Sequence, residues 1–451
     1  MAYRDLRSFL EDLENRGDLL RVGRSVRPRL EASAVLRSLD DSGGPAVWFE
    51  NLRGHRVPAV GNLLSTRRRL NLALGTEGDY RRTVMDRLGR RIRPRKARNT
   101  PVQQVVRKRG IDLSSLIPVF THHERDSGPY ITCGLLICRD PETRRVNMGI
   151  YRLQIRKTPN QLCAQIISPP LSRHLADAEE RGEAFPVGIV LGSEPGLYLG
   201  SVLQSGPGAD RLESAGGLRG GAVEVADGVS VDLPVPAHAE MVLEGRVLPG
   251  DRATEGPMGE SSGVYTHSRS HVIEVTAVTH RENPVYHALL PWSRDEESLL
   301  AVAYTIPMEL RLRAQDSAVR ALHLVPGTCS THAVVSIRKS RPGHARDMMA
   351  LCFGLFSVLK QVVVVDEDVD PEDGRMVAWA VSSRFQADRD LVTIPKAAGF
   401  AIDPSAERRD GSLLTTKMGF DATVPHGKEE KFERIDVGEK ARQKAAEILA
   451  G

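Results

Sequence analysis

The sequence predicts a mixed α/β protein of several domains, with a β-rich middle part between two parts that combine helices and strands. The chain has 451 residues, which exceeds one ordinary hydrophobic core, so two or three domains are expected. Short runs of β-forming residues joined by glycine turns follow one another from residue 129 to residue 290. Helix and strand patterns alternate after residue 295, which is typical of a partly parallel sheet.

The N-terminal part begins with a helix pattern. Apolar residues from Leu6 to Leu13 recur at helical spacing and predict a short amphipathic helix. Pro45–Glu50 and Val57–Val60 predict two strands, and a second helix is expected from Thr66. The basic stretch over residues 88–110 is expected to be a surface connector.

The middle part is expected to be a barrel or a sandwich, because its strands are short, frequent and separated by turns. Asp227-Gly228 lies between two of them and indicates a hairpin. The predicted strands are Tyr130–Cys138, Asn147–Ile155, Gln161–Ile167, Val187–Leu191, Val223–Val225, Val229–Leu233, Met241–Leu248, His271–Val278 and Val285–Leu290.

The C-terminal part is expected to be an α/β unit with a terminal helix, Val437–Ala450, that starts at a capping box formed by Asp436 and Glu439. We therefore divide the chain into domains at residues 1–115, 116–300 and 301–451, the last of them a candidate for dimerisation. The other predicted elements are helices over Glu297–Arg313, His344–Gln361 and Ala378–Arg384, and strands over Ala333–Ile337 and Val362–Val365.

Composition restricts the class of protein only loosely. Lysine plus arginine exceed aspartate plus glutamate by 62 to 58, a small excess for this length. Basic residues crowd the segment from Arg67 to Arg98, but no aromatic residues interleave its densest part, which favours a solvated face or a subunit contact over a nucleic-acid site. Five scattered cysteines predict reduced thiols, and no leader or membrane-spanning pattern is seen, so a cytoplasmic protein is expected.

The most informative motif is Glu255-Gly-Pro-Met-Gly-Glu260, which places two carboxylates five residues apart. Glycine gives this stretch backbone freedom and proline fixes φ, so the motif predicts a bend in a loop. Both acids can then point into one cavity, an arrangement that often sets one acid apart as a proton donor.

Read together, several separated motifs resemble the UbiD-type decarboxylases, which use prenylated flavin mononucleotide (FMN). The resemblance runs from the opening residues 3–22 to the C-terminal part and covers nearly the whole chain. It is carried by residues 43–50 (GGPAVWFE), Asn147-Met-Gly-Ile-Tyr-Arg152, Glu255-Gly-Pro-Met-Gly-Glu260 and Lys417-Met-Gly-Phe-Asp421-Ala-Thr423. It implies a central split β-barrel that binds the flavin, between an N-terminal α/β segment and a C-terminal α/β domain.

The resemblance also implies how the cofactor is held. Asn147, Glu213 and His174 would bind a divalent metal, usually manganese, that bridges to the flavin phosphate; Ser172 is the alternative to His174. A potassium ion is a further candidate cofactor. Residues expected to lie along the flavin or to meet its phosphate are Gly149, Ile150, Tyr151, Arg152, Arg173 and Lys417.

Arg152, Glu255 and Glu260 resemble the catalytic network of the family. Arg152 would bind the substrate carboxylate, Glu255 would hold Arg152, and Glu260, in drier surroundings, would donate the proton after carbon dioxide leaves. The implied reaction is reversible decarboxylation of an unsaturated or (hetero)aromatic acid by a carboxy-lyase. A flavin prenyltransferase would supply the cofactor, and a homodimer is the smallest assembly expected.

Two other hypotheses compete with this one. The chain could be a non-catalytic flavin-binding or assembly subunit, or the arginine-rich segment could bind nucleic acid. Trp292 is a candidate to stack on a flat substrate, and Arg294, Glu296 or Glu297 could recognise a polar substituent of it.

Overall fold

The computed structural model describes residues 2–167, 169–204, 206 and 208–450, and the side chains of all of these except residues 429 and 450. The chain forms two compact units. The first comprises Met1–Leu310, Pro326–Ser330 and Ala401–Pro404, and the second comprises Arg311–Val325, Thr331–Phe400 and Ser405–Gly451.

The first unit contains fourteen strands among its described residues, in three sheets. In chain order they are β1 (Leu19–Val22), β2 (Ala46–Phe49), β3 (Ala59–Gly61), β4 (Arg95–Lys96), β5 (Val105–Arg107), β6 (Tyr130–Arg139), β7 (Val146–Ile155), β8 (Gln161–Ala164), β9 (Phe185–Leu191), β10 (Glu224–Asp227), β11 (Pro234–Pro236), β12 (Met241–Gly259), β13 (Tyr265–His280) and β14 (Tyr286–His287).

Nine α-helices of the described residues accompany these strands, with a 3-10 turn at Pro101–Gln103 and a π-helical turn at Ala301–Thr305. The helices are α1 (Leu6–Asn15), α2 (Glu31–Asp41), α3 (Arg67–Ala73), α4 (Tyr80–Arg87), α5 (Leu113–Leu116), α6 (Leu171–Glu180), α7 (Pro195–Val202), α8 (Arg211–Arg219) and α9 (Arg294–Leu300), after which α10 (Ile306–Gln315) continues the chain.

The centre of the first unit is a closed antiparallel barrel of six strands. The strands follow the order β12-β9-β6-β7-β8-β13, and pairing of β12 with β13 closes the ring, while β5 adds to the outside of β13. Alternate side chains of these strands fill an apolar core that includes Leu153, Ile189, Leu243 and Ile273. The predicted barrel-like middle part is therefore confirmed as a barrel.

The N-terminal elements form where the sequence predicted them. Helix α1 begins after Asp5, whose side chain accepts the backbone N–H of Ser8, while the Ser8 hydroxyl is bonded in return to the backbone of Asp5. Its predicted apolar face, Leu6 to Leu13, is buried. The small sheet beside it has the order β1-β2-β3-β14 and mixes parallel and antiparallel pairs.

The strand expected over Val229–Leu233 is not formed. The buried carboxylate of Glu244 instead accepts the backbone N–H groups of Val229, Ser230 and Val231, which holds this stretch as a loop. A hairpin forms here, but its second strand is β11 instead of Val229–Leu233, and Asp227 lies in β10, where it is opposite Pro234.

The second unit is an α/β unit with a partly parallel sheet, as predicted. The sheet order is β15-β16-β17-β20-β18 with β19 beside β20, and the pairs β16–β17 and β17–β20 are parallel. Its elements are β15 (Val319–Leu324), β16 (His332–Ile337), α11 (His344–Leu355), β17 (Gln361–Asp366), α12 (Gly374–Arg384), α13 (Ala387–Asp390), β18 (Leu391–Ala398), β19 (Glu407–Arg409), β20 (Ser412–Ala422), a 3-10 turn at Glu429–Phe432 and α14 (Glu439–Ala450).

Strand β18 lies at one edge of this sheet and is irregular. Its pairing with β20 shifts register between Ile394 and Ala397, and Lys396 between them has a φ of 55°. The preceding residue, Pro395, has no N–H to donate.

Gly200 allows helices α7 and α8 to pack closely. A Cβ atom on Gly200 would lie 2.5 Å from Cα and 2.6 Å from Cβ of Ala215. We expect Gly200→Ala to lower the free energy of unfolding by about 1–3 kcal/mol, because the buried helices must move apart. Urea denaturation measures this change.

Gly354→Ala is the matched control for that substitution. Gly354 is exposed on helix α11, and no atom lies within 4 Å of the Cβ position it would gain. Alanine there is expected to raise stability by up to about 1 kcal/mol through helix propensity. Equal effects of the two substitutions would show that the α7–α8 contact is not tight.

No helix in the described ranges is both long and apolar enough to cross a lipid bilayer.

Candidate active site

The first unit contains a cavity of about 630 Å³ beside the barrel. One wall is strand β7, the end of β12 contributes a second, and α9 with the π-helical turn contributes a third. The lining residues include Thr132, Asn147, Met148, Gly149, Ile150, Tyr151, Arg152, Pro169, Pro170, Arg211, Met258, Gly259, Glu260, Leu289, Glu296, Leu299, Leu300, Ala303 and Tyr304.

Arg152 and the two acids of the Glu255–Glu260 motif meet at this wall. Nε of Arg152 donates to Oε1 of Glu255 over 2.7 Å, and Nη1 of Arg152 forms an ion pair with Oε1 of Glu260. Glu255 is fully buried, whereas the side chains of Arg152 and Glu260 keep 14% and 15% of their surface exposed, respectively. One acid is thus enclosed behind the guanidinium, and the other borders the cavity.

Neighbouring polar side chains fix these three groups. The hydroxyl groups of Ser268 and Ser270 both donate to Oε2 of Glu255. Gln165 accepts Nη2 of Arg152 over 3.1 Å, and Thr266 donates to Oε1 of Glu260 over 3.0 Å. No local pattern in the sequence points to these four residues, because the pairing of β12 with β13 brings Thr266, Ser268 and Ser270 to the motif, and Gln165 directly follows β8, which pairs with β13.

The two acids converge because the end of strand β12 bulges. Pairing with β13 shifts register between Glu255 and Met258, so the extra residues arch out of the ladder. Gly256 at this point has a φ of 97°, and a Cβ atom there would lie 2.5 Å from the carbonyl oxygen of Thr266. The prediction of a loop is therefore wrong in detail, since the motif forms the bulged end of strand β12 and only Glu260 lies beyond the strand.

The residues expected along the flavin share one wall of the cavity. Asn147, Gly149, Ile150 and Tyr151 all belong to strand β7 and line the cavity. Burial raises the pKa of the Tyr151 hydroxyl to about 12, so this side chain stays neutral. Burial likewise raises the pKa of the neighbouring Cys138 thiol to about 12, while a hydrogen bond with Asn147 acts in the opposite direction.

The other two predicted metal ligands do not line this cavity. His174 lies on α6 and stacks on Phe185. Its buried Nε2 atom, 3.8 Å from the Asp140 carboxylate, has no hydrogen-bond partner in the part of the chain that the structure describes. Glu213 lies on α8, 3.8 Å from Arg93. No three His, Cys, Asp or Glu side chains within the described ranges form a metal-binding group. The predicted ligand set differs from such a group because it includes the Asn147 amide. The metal-binding roles of Asn147, His174 and Glu213 stay predictions.

The predicted cofactor-binding residues Arg173 and Lys417 differ in their surroundings. Arg173 is exposed on α6. Lys417 belongs to the second unit, where its buried Nζ donates to the carbonyl oxygens of Ser357 and Leu359, and burial lowers its pKa. Both roles stay predictions.

Arg211 is a cationic residue of the cavity that the sequence analysis missed. Its guanidinium lines the cavity and donates to the carbonyl oxygen of Leu203, and burial lowers its pKa. In the described part of the chain it forms no ion pair with a carboxylate. A desolvated cation of this kind is well suited to an anionic group of a ligand.

Glu296 brings a second acid to the opposite side of the cavity. Its Oε2 accepts the backbone N–H of Trp292 over 2.7 Å, and burial raises its pKa to about 7. Trp292, a candidate to stack on substrate, does not line the cavity; it is 47% exposed and the guanidinium of Arg37 lies 5.6 Å from its ring.

The buried carboxyl of Glu296 predicts a pH dependence of stability. The folded protein keeps it neutral up to about pH 7, whereas the unfolded chain ionises it near pH 4.5. Its stabilising contribution is therefore complete below pH 4.5 and lost as the pH rises through 7. Relative to Glu296→Gln, the unfolding free energy of the unmodified protein should fall by about 1–3 kcal/mol between pH 4.5 and 8.

Urea denaturation of both proteins at several pH values measures this difference. Glu183→Gln, at an exposed surface acid, is the control and should show no such trend. A constant difference between the Glu296→Gln and unmodified proteins across this range would contradict the prediction.

Several arginines of the basic segment have structural partners. Arg69 is fully buried, bonded to Asp18 and to the carbonyl oxygen of Gly44. Arg87 donates to the carbonyl oxygens of Leu74 and Leu218, which ties α4 to α8. At these positions the segment serves packing within the first unit.

Comparison with known proteins places this site in a family. Models of 3-octaprenyl-4-hydroxybenzoate carboxy-lyase match three successive parts: its N-terminal domain at residues 10–89, its Rift-related domain at 93–294 and its C-terminal domain at 299–422. The UbiD-class enzyme HmfF from Pelotomaculum thermopropionicum, solved with FMN, is 35% identical, with a TM-score of 0.92 over 98% of this chain and 99% of that one. This chain belongs to the UbiD family.

Other UbiD-class structures agree over similar lengths. An evolved dimeric form of the same HmfF, in complex with prenylated FMN, is 34% identical with a TM-score of 0.86, covering 96% of this chain and 97% of that one. The apo 3,4-dihydroxybenzoic acid decarboxylase AroY of Klebsiella pneumoniae is 26% identical with a TM-score of 0.90, covering 97% and 98%. The predicted fold and the predicted carboxy-lyase class are confirmed.

Proposed function

We propose that this UbiD-family protein catalyses the reversible, non-oxidative decarboxylation of an unsaturated or (hetero)aromatic carboxylic acid with prenylated FMN. The observation that carries the proposal is the contact of Arg152 with both Glu255 and Glu260 at the wall of a 630 Å³ cavity. A guanidinium held by one buried acid can present its remaining donors to a substrate carboxylate.

The cavity fits a flavin nucleotide. Its volume lies in the usual range for cofactor sites, and strand β7 supplies an extended wall. Arg211, which forms no ion pair with a carboxylate in the described part of the chain, supplies a cation for the flavin phosphate. Related structures hold FMN and prenylated FMN. When bound, prenylated FMN would supply an electron sink, which side chains lack, for the electron pair that carbon dioxide leaves behind on the substrate carbon.

The three charged side chains would divide the work of substrate handling. Arg152 binds and orients the substrate carboxylate, and Glu255, fixed by Ser268 and Ser270, keeps the guanidinium in place. Glu260, at the cavity edge, carries the proton that replaces carbon dioxide on the substrate carbon. Apolar side chains such as Ile150, Leu289 and Leu299 give a flat acid a matching wall.

A divalent metal, manganese in our proposal, would be held by Asn147, His174 and Glu213, with potassium as a further ion. The buried Nε2 of His174 supports a ligand role, since within the described residues it makes no hydrogen bond and the Asp140 carboxylate, 3.8 Å away, lies beyond hydrogen-bond distance. The proposal also includes Arg173 and Lys417 as phosphate contacts, a flavin prenyltransferase as the source of cofactor, a homodimer, a cytoplasmic location and the three-domain division given above.

The deciding experiment is expression with a flavin prenyltransferase, followed by a screen of furoic, pyrrole-carboxylic, hydroxybenzoic and cinnamic acids. We expect bound prenylated FMN by mass spectrometry and carbon dioxide release from at least one acid. Cofactor retention without turnover of any acid, in either direction, would favour the non-catalytic subunit hypothesis. Failure to bind the flavin would refute the proposal.

A further inference from the structure

A second cavity, of about 300 Å³, lies in the first unit away from the Arg152 site. Its rim carries the side chains of Arg27, Arg29, Arg53 and His55. None of the residues lining it is shared with the active-site cavity.

The fold brings the rim together from two separate loops. An isolated bridge joins Val26 to Leu52, and the backbone N–H of Arg53 donates to the carbonyl oxygen of Val26 over 2.8 Å. Residue 29 is bridged to Thr121, and Leu30 donates its N–H to the carbonyl oxygen of Thr121 over 3.0 Å. The arginines therefore project from a hydrogen-bonded framework of backbone.

The rim carries uncompensated positive charge. Arg27 has an acidic neighbour, Glu31, at 3.6 Å, but Arg29 and Arg53 have no carboxylate within ion-pair distance among the residues that the structure describes. Among the described residues no acidic one lines the cavity, and the buried Nδ1 of His55 has no hydrogen-bond partner there. Cationic side chains gathered without counter-charges favour an anionic ligand.

The inner surface of the same cavity is apolar. Ile117, Val119 and Ile155 line it and are each less than a tenth exposed. A bare inorganic anion would leave this surface wet, whereas a ligand with a small ring or short hydrocarbon would cover it. The volume matches a ligand of about that size.

We infer that this cavity binds a small organic anion, with the carboxylate or phosphate against Arg29 and Arg53 and an apolar body over Ile117, Val119 and Ile155. Arginine forms bidentate hydrogen bonds with either anionic group, so the rim is suited to both. This site is separate from the proposed decarboxylase site and does not depend on it.

Calorimetric titration of the cofactor-loaded protein with phenyl phosphate, benzoate and inorganic phosphate tests the inference. We expect phenyl phosphate or benzoate to bind more tightly than inorganic phosphate. The double variant Arg29→Gln/Arg53→Gln should weaken binding of the organic anion about tenfold or more, which corresponds to about 1.4 kcal/mol. The control is Arg24→Gln/Arg56→Gln, two exposed arginines of the same loops that do not line the cavity.

The outcomes separate the alternatives. Equal affinity in the double variant, the control and the unmodified protein would overturn the inference, as would tighter binding of inorganic phosphate than of either organic probe. Dissociation of an oligomer by Arg29→Gln/Arg53→Gln alone, measured by sedimentation velocity, would show that the rim binds another copy of the chain instead. Benzoate is itself an aromatic acid and can also bind at the proposed Arg152 site. The comparison of Arg29→Gln/Arg53→Gln with Arg24→Gln/Arg56→Gln isolates the second cavity, because both variants keep the Arg152 site unchanged.

Discussion

Glu260→Gln is expected to lower kcat of the prenylated-FMN enzyme by about 10²–10⁴-fold, because the amide has no acidic proton to transfer to the substrate carbon. Binding should change much less, since glutamine keeps the size of the side chain and can still bond to Thr266 and Arg152. Stopped and continuous assays of carbon dioxide release measure the effect on kcat, and the flavin content of the purified variant measures the effect on cofactor binding.

Hydrogen exchange at the reacting carbon gives a second readout for Glu260. If Glu260 delivers the proton, the variant should also lose the enzyme-catalysed exchange of that hydrogen of added product with solvent deuterium. Glu183→Gln, at an exposed acid, is the matched control and should leave both rates unchanged. Near-normal turnover of Glu260→Gln would remove this residue from the chemistry.

Arg152→Gln is expected to have the largest effect on stability. The fully buried carboxylate of Glu255 would lose the charged donor that now lies 2.7 Å away, and Ser268 and Ser270 would remain its only partners in the described structure. Breaking one member of a buried ion pair costs about 3–5 kcal/mol of unfolding free energy, because the other charge stays desolvated. Urea denaturation measures the loss, and the Michaelis constant should rise as well.

A double-mutant cycle with Glu255→Gln tests the cause. If the cost comes from the orphaned Glu255 charge, Arg152→Gln/Glu255→Gln should be more stable than Arg152→Gln alone. Additive losses in the double variant would show that the two groups do not act as a pair.

The sequence predicted elements that depend on local pattern. Helix α1 was accessible because its cap, Asp5, and its apolar face are adjacent in the chain. The parallel core of the second unit was accessible because valine-rich β17 stands between two helices. The bend between Glu255 and Glu260 predicts that both acids can share one cavity, whereas the proximity of Arg152 to them is suggested by resemblance alone. The structure brings the three side chains together, and their catalytic roles stay predictions.

Features that depend on long-range pairing could not be predicted. Ser268 stands opposite Glu255 only because of the register of β12 against β13, and the bulge after Glu255 decides where Glu260 points. A single helix was expected over Glu297–Arg313, but the chain accommodates a π-helical turn at Ala301–Thr305, which places Ala303 and Tyr304 in the cavity wall. The helix pattern of the sequence does not reveal such an extra residue per turn.

The irregular edge strand β18 also affects how the folded protein behaves at high concentration. An unpaired strand edge is a template on which another chain can add a strand and begin to aggregate. Along β18 an incoming strand would meet Pro395, which offers no N–H, followed by the lysine side chain and shifted register at Lys396. Straightening this edge, for example by Pro395→Val with Lys396→Thr, would remove that protection and favour fibrillar association.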